Sequence, residues 1–187
     1  MTTTAGTVLP LKPGRWALDP FHSAVGFSIR HLGVSKVRGR FRRFDVDVTI
    51  GATLADTAVL ATIETASIDT GNADRDAHVL SADLLDAERR PTMVFRSSGI
   101  SERRDGWVLE GDLTIGDVTR PQRLDVDFGG IQEFPGGPRH AGFEATGELR
   151  RKDFGIDLTL PPGVGAVALG DVVKLELDIQ LLEPATT

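Results

Sequence analysis

The 187-residue chain has no cysteine, which excludes disulfides and thiolate metal sites and fits a reducing compartment. No stretch approaches the ~18–20 consecutive apolar residues of a membrane-spanning helix, so stable membrane insertion is not expected. Met1 to Arg15 lacks both a basic start and the apolar run of ~7–15 residues that marks a secretory signal, and the expected location is cytoplasmic. There is no basic excess: the formal net charge is −6, which favours solubility and argues against a nucleic-acid partner. There is no Gly-x-Ser-x-Gly elbow for a hydrolase nucleophile. Gly163 to Gly170 misses the Gly-x-Gly-x-x-Gly spacing and follows two prolines instead of a strand, so it reads as a loop over Pro161 to Gly170 and not as a nucleotide cradle. Internal repeats and low-complexity linkers are also missing. The reading is therefore a tail over residues 1–14 followed by one domain over residues 15–183.

What is present is strand-like sequence. Valine, isoleucine, threonine and phenylalanine recur in runs punctuated by Gly, Pro or Asp, predicting strands over 15–19, 22–32, 36–50, 57–67, 92–101, 106–116, 122–132, 140–151 and 171–182. The last run alternates Val173, Leu175, Leu177, Ile179 and Leu181 with Lys174, Glu176, Asp178 and Gln180, the period of a half-buried antiparallel strand. Run 36–50 changes phase between Phe41 and Phe44, which predicts a β-bulge near Arg42 and Arg43. Asn72 to Arg90 breaks the β pattern and reads as a helical insertion in two pieces, with Asn72 as N-cap and Pro91 as stop. Strands at roughly ten-residue spacing with one short helical insertion point to a closed barrel or a sandwich.

Several ordered motifs then stand out. Trp16-Ala-Leu-Asp19-Pro20-Phe-His22-Ser23 opens the domain, and Phe27-Ser-Ile-Arg30-His31-Leu-Gly33-Val34-Ser-Lys36-Val-Arg-Gly39-Arg-Phe41 follows. Next come Ser67-Ile-Asp69-Thr70, Arg75-Asp76-Ala-His78-Val-Leu80, Pro91-Thr-Met-Val-Phe95 and Arg151-Lys-Asp153-Phe154-Gly155-Ile156. Over roughly residues 15–182 the chain resembles the YceI-like, polyisoprenoid-binding family of lipocalin-like proteins. It departs from the family at Leu84-Leu85, where paired aromatics are common, and at Gly116-Asp117-Val118-Thr119, where a glycine–threonine turn is common. The resemblance implies an all-β fold, an extended antiparallel eight-stranded β-barrel with its helical insertion around residues 72–90. It also implies an apolar interior for a long-chain isoprenoid or similar lipid, no metal or redox cofactor and, in many members, a homodimer. Many relatives are periplasmic and carry a signal.

The residues support that function on their own terms. Val25, Phe27, Ile29, Phe41, Ile63, Phe95, Leu113, Ile115, Val126 and Phe143 are the candidates for an inward apolar face. Gly26, Gly39, Gly111 and Gly147 interrupt strands, where glycine permits a bend or a close approach. Polar candidates for a lipid head are His22, Arg30, His31, Arg75, His78 and Arg151. Each also has a structural reading. His22 and Ser23 suit a turn capped by Asp19. Arg75 and Asp76 suit an ion pair docking the insertion, and Arg151, Lys152 and Asp153 pose the same choice. Arg38, Arg40, Arg42 and Arg43 suit a solvated outer face or a contact for anionic headgroups. The histidines lack local metal-ligand spacing, so no metal is expected. Three functions stay open: a carrier or store for a polyprenyl phosphate or quinone-like lipid, an enzyme on a lipid or small acid using a cavity histidine, and a stress-related structural module with a filled barrel.

Overall fold

The computed structural model describes residues 9–133, 135–158 and 169–184. Eleven strands form one antiparallel sheet: β1 (Gly14–Leu18), β2 (Ala24–His31), β3 (Ser35–Phe41), β4 (Phe44–Ile50), β5 (Ala58–Glu64), β6 (Ile68–Asp69), β7 (Thr92–Arg103), β8 (Gly106–Ile115), β9 (Val118–Glu133), β10 (Arg139–Arg150) and β11 (Leu169–Leu182). Three pairs are halves of single long strands. β1 and β2 follow one another along β11, Leu18 opposite Leu181 and Ala24 opposite Asp178. β3 with β4, and β5 with β6, break side by side, where Arg42 and Arg43 face the 3₁₀ turn Thr65–Ser67. Joining these halves gives eight strands in a simple up-and-down meander. β11 closes the ring on β1 and β2, and among the described residues the sheet stays open only beside β6, where β6 and the Ser35–Gly39 part of β3 each pair on one side alone.

The phase change expected near Arg42 is present as this strand break, with Phe41 and Phe44 both packed inward. Two further irregularities restore the inward phase elsewhere. The β9–β10 register shifts by one residue at Gly142/Phe143, so Phe128 and Ile131 both reach the core despite unlike parity. The β7–β8 register shifts between Ser97 and Gly99, so Phe95 and Ile100 do the same.

The insertion is shorter than expected. One helix, α1 (Ala73–Leu80), starts at Asn72, whose side-chain oxygen accepts from the Arg75 N–H at 2.9 Å. The anticipated second helical piece is a series of turns that bury Leu84 and Leu85. The N-terminal tail also differs. Leu9 and Leu11 are buried, and Lys12 accepts at its carbonyl from the Trp16 indole N–H at 2.9 Å. Residues 9–13 therefore belong to the folded domain, held by apolar burial that Pro10 and Pro13 do not prevent. The rest of the expected tail, and residues 161–168 of the expected loop, lie outside the described residues.

The two barrel ends are unlike. Residues 9–14, the β4–β5 connection and the β7–β8 hairpin share one end. The β2–β3 hairpin, α1 and the 3₁₀ turn Arg151–Phe154 share the other.

Candidate functional site

Between these ends lies a cavity of about 560 Å³, within the roughly 300–1,000 Å³ of small-molecule sites. The alternating strand faces create it. β2 contributes Val25, Phe27 and Ile29, β3 contributes Phe41 and β5 contributes Ile63. β7 and β8 add Phe95, Leu113 and Ile115, and β9 and β10 add Val126 and Phe143. All ten residues of the predicted apolar face line this space. The whole inward face of β11, from Val173 to Leu181, lines it too.

Glycines keep the lumen open where rings would otherwise crowd it. Gly39 lies opposite Phe27, and a Cβ there would strike the Phe27 ring and come 3.0 Å from Thr70 Cγ2. Gly111 takes the Phe95 ring the same way, 2.6 Å from where a Cβ would stand. Each ring lies down along the neighbouring strand instead of standing into the barrel. At the N-terminal end Trp107, Phe128 and Phe143 form a chain of tilted rings with centroids 5.9 and 5.2 Å apart. Leu9, Leu11 and Ile50 complete the lining at that end, where the polar Thr57 spends its hydroxyl within the β4–β5 connection, accepting from the Gly51 N–H and donating to the Thr53 carbonyl, both at 3.1 Å.

Polarity gathers at the α1 end, where His31, Thr70, Arg75, His78 and Arg151 line the cavity. Arg75 is clamped to Thr70, its Nε donating to Oγ1 at 2.7 Å and its Nη2 to the carbonyl at 2.8 Å. Thr70 in turn donates its N–H and hydroxyl to Asp76 Oδ1, at 2.9 and 2.6 Å. Arg75 and Asp76 thus dock α1 through Thr70 and not through each other, and the docked helix leaves Arg75 and His78 at the rim. Arg151 is committed inside the protein. It donates to the carbonyls of Gly170 (2.9 Å), Ile156 (2.7 Å) and Leu169 (3.2 Å), and to Asp157 Oδ1 at 3.3 Å. Buried and nearly saturated, it ties the 3₁₀ turn to the start of β11, and little of its donor capacity remains for a ligand.

Two of the expected head contacts are corrected. Arg30 is exposed on the outer face of β2, because its parity opposes that of Val25, Phe27 and Ile29. His22 sits in the β1–β2 turn and not on a strand, outside the lumen. Its Nδ1 lies 2.8 Å from Asp19 Oδ2, while Asp19 Oδ1 accepts from the Phe21 N–H at 3.0 Å. Gln180 on β11 donates to Asp19 Oδ2 at 3.1 Å and contacts His140 Nδ1 at 2.8 Å. This is the Asp19-capped turn of the structural reading. Burial drives the Asp19 carboxyl pKa upward, but hydrogen bonds from His22, the Phe21 amide and Gln180 outweigh it and hold it below the usual carboxylate value.

The basic run behaves as a surface feature in part. Arg40 and Arg42 pair with Asp69 at 3.2 and 2.7 Å, and Arg43 pairs with Glu64 at 2.5 Å. Among the lining residues that sequence reasoning missed are Leu9, Leu11, Thr57, Thr70 and Gln122. Gln122 carried a signal, the same parity as Leu124 and Val126, whereas Leu9 and Leu11 flank a proline and show no period.

An antiparallel eight-stranded barrel around an apolar cavity, with ionisable groups at a single end, defines a lipocalin-like barrel protein. Within that class the chain belongs to the YceI-like family, whose domain model matches residues 16–181. It is similar to Protein YceI of Escherichia coli O157:H7, 39% identical over 149 residues that cover 79% of this chain and 78% of that one. A UPF0312 protein of Serratia proteamaculans is 38% identical over 149 residues with the same coverage. Among solved structures, BcnA of Burkholderia cenocepacia matches with a TM-score of 0.74 at 21% identity, covering 90% of this chain and 99% of that one. A polyisoprenoid-binding domain from Saccharophagus degradans matches with a TM-score of 0.63 at 11% identity, covering 92% and 100%. At such identities the structural likeness speaks for the fold.

Proposed function

We propose that the protein binds a long-chain isoprenoid or similar amphipathic lipid, such as a polyprenyl phosphate or a quinone-like lipid, and carries or stores it with the chain in the barrel. The observation that carries this reading is the apolar lumen with its ionisable groups at one end only. A chain would lie against the aliphatic and aromatic faces. Its head would rest at His31, Arg75 and His78, the polar rim residues with donor capacity left. Each buried methylene is worth ~0.8 kcal/mol, so about ten to fifteen of them supply roughly 8–12 kcal/mol before the cost of association. Micromolar affinity needs about 8 kcal/mol net, so head contacts and close packing must make up the difference.

A binding role is favoured over catalysis by the surroundings of the cavity histidines. Among the described residues, the carboxylate nearest His78 is that of Asp83, 3.8 Å from Nε2 and well exposed, too far for a general-base pair. The filled-barrel alternative is disfavoured by the cavity itself.

Organic extraction of the purified protein followed by mass spectrometry tests the proposal, together with uptake of added polyprenyl phosphate. Co-purified or captured lipid at one per chain is the expected result. Protein that is clean as purified and takes up nothing would refute it.

A further inference from the structure

We infer that the tip of the β2–β3 hairpin is a docking element for the surface of an anionic lipid bilayer. The inference rests on the lipid-carrier reading for its purpose, but its evidence is separate. Leu32 and Val34 form the tip and are 56% and 82% exposed. Leu32 also sits in the left-handed backbone region, φ 51°, beside Gly33 at φ 72°, and the Val34 N–H closes the turn on the His31 carbonyl at 3.2 Å. Asparagine or glycine would suit that position far better. Leucine there is unfavourable twice, for its backbone and for its exposure. Such a local conflict calls for a gain elsewhere, and burial of the tip in something apolar supplies it.

Charge identifies the partner. Between Asp19 and Asp45 the chain has no acidic residue and six Arg or Lys, on a protein whose net charge is −6. Arg40, Arg42 and Arg43, the three farther from the tip, are engaged in ion pairs, the first two sharing Asp69 and the third holding Glu64. Arg30, Lys36 and Arg38, the three nearest it, form no ion pair among the described residues and are exposed. Arg30 and Lys36 face each other directly across the hairpin. An apolar tip with a collar of free cations matches a bilayer bearing anionic headgroups, the tip entering the acyl boundary and the collar meeting phosphates. The position suits the purpose. His31, the residue before the turn, lines the polar end of the cavity, so a docked tip sets that end against the membrane and a chain need not cross water.

Flotation of the full-length protein with vesicles tests this. Vesicles of phosphatidylcholine mixed with phosphatidylglycerol should bind it, phosphatidylcholine alone much less, and added salt should release it. Replacing Arg30, Lys36 and Arg38 together by glutamine should lower partitioning by about a hundredfold, at roughly fivefold per charge. Leu32→Asn with Val34→Thr should abolish most of the remainder while preserving the fold, since asparagine relieves the left-handed backbone, and a thermal melt checks that directly. Both variants should still take up polyprenyl phosphate presented from cyclodextrin, but should draw it from anionic vesicles far more slowly. Wild-type protein that ignores anionic vesicles, or a Leu32→Asn/Val34→Thr variant that binds them as well as wild type, overturns the inference. So does a wild-type dimer that this variant converts to monomers without any vesicle binding, which would assign the tip to a second copy of the chain. An empty, lipid-refusing lumen in a protein that still docks would sink the carrier reading and leave the docking element standing.

Discussion

Asp19 concentrates several interactions in one buried carboxylate. It caps the β1–β2 turn, holds His22 and receives Gln180 from β11, tying together the place where β11 changes partner from β1 to β2. Its depressed pKa has a definite consequence. The stabilisation it supplies is complete above the ordinary carboxylate value of ~3.9 and is lost as pH falls through the lower folded value. Asp19→Asn should cost about 1–3 kcal/mol near neutral pH, in line with removal of a buried charged hydrogen-bond acceptor. Urea melts from pH 7 downward should show the wild-type advantage flat to about pH 5 and shrinking below about pH 4. A gap that stayed constant into strong acid would contradict the assignment. Gly39 offers a second test at this scale. Gly39→Ala forces the Phe27 ring off its neighbour strand into the lumen, so lipid capacity should fall more than stability, which should drop by about 1–3 kcal/mol. Titration with a fluorescent polyprenyl analogue beside a thermal melt separates the two effects.

Among the elements, the legible ones are those whose pattern is periodic. Val173 to Leu181 announces both the strand and its inward face by strict alternation, and all ten residues predicted for the apolar face do line the cavity. The phase change at Phe41/Phe44 was legible because large apolar residues flank it. Bulges at Gly129–Gly130 and Ser98 were not, since glycine and serine carry no sign of facing. Parity also contained the correct outward placement of Arg30, although cationic character suggested a head contact. Arg151 illustrates what sequence leaves out: a lumen-facing arginine looks like a phosphate ligand until its carbonyl partners are known. Its position between the Arg151–Phe154 turn and the first residues of β11 makes it a staple. Arg151→Met keeps most of the apolar stem but strips three carbonyls of a donor, and should destabilise the protein by about 3 kcal/mol or more. Amide exchange should rise in Asp153–Asp157 and Leu169–Asp171 before the rest of the barrel. Equal loosening throughout would mean that the arginine supports the core and not this junction.

On the scale of the whole molecule, the closed meander matters because it confines the unpaired sheet edge to the β3–β6 corner while leaving two chemically different ends. The N-terminal end is filled with Leu9, Leu11, Ile50 and the Trp107–Phe128–Phe143 rings, and the α1 end carries His31, Arg75 and His78. An amphipathic lipid has one low-energy orientation in such a gradient. Reversal would bury a phosphate or quinone head among aromatic rings without a partner, at a cost of several kcal/mol. Trp107 reports the orientation because it lines the cavity at the apolar end, and the second tryptophan, Trp16, does not line it. A polyprenyl or acyl ligand labelled with a nitroxide near its terminal carbon should quench Trp107 strongly, and the same label next to the head should quench it weakly. Trp107→Phe should remove the difference and leave the residual Trp16 emission nearly insensitive to either ligand. Stronger quenching by the head-proximal label would reverse the assigned polarity, placing the head among the rings and leaving His31, Arg75 and His78 without their assigned part in binding.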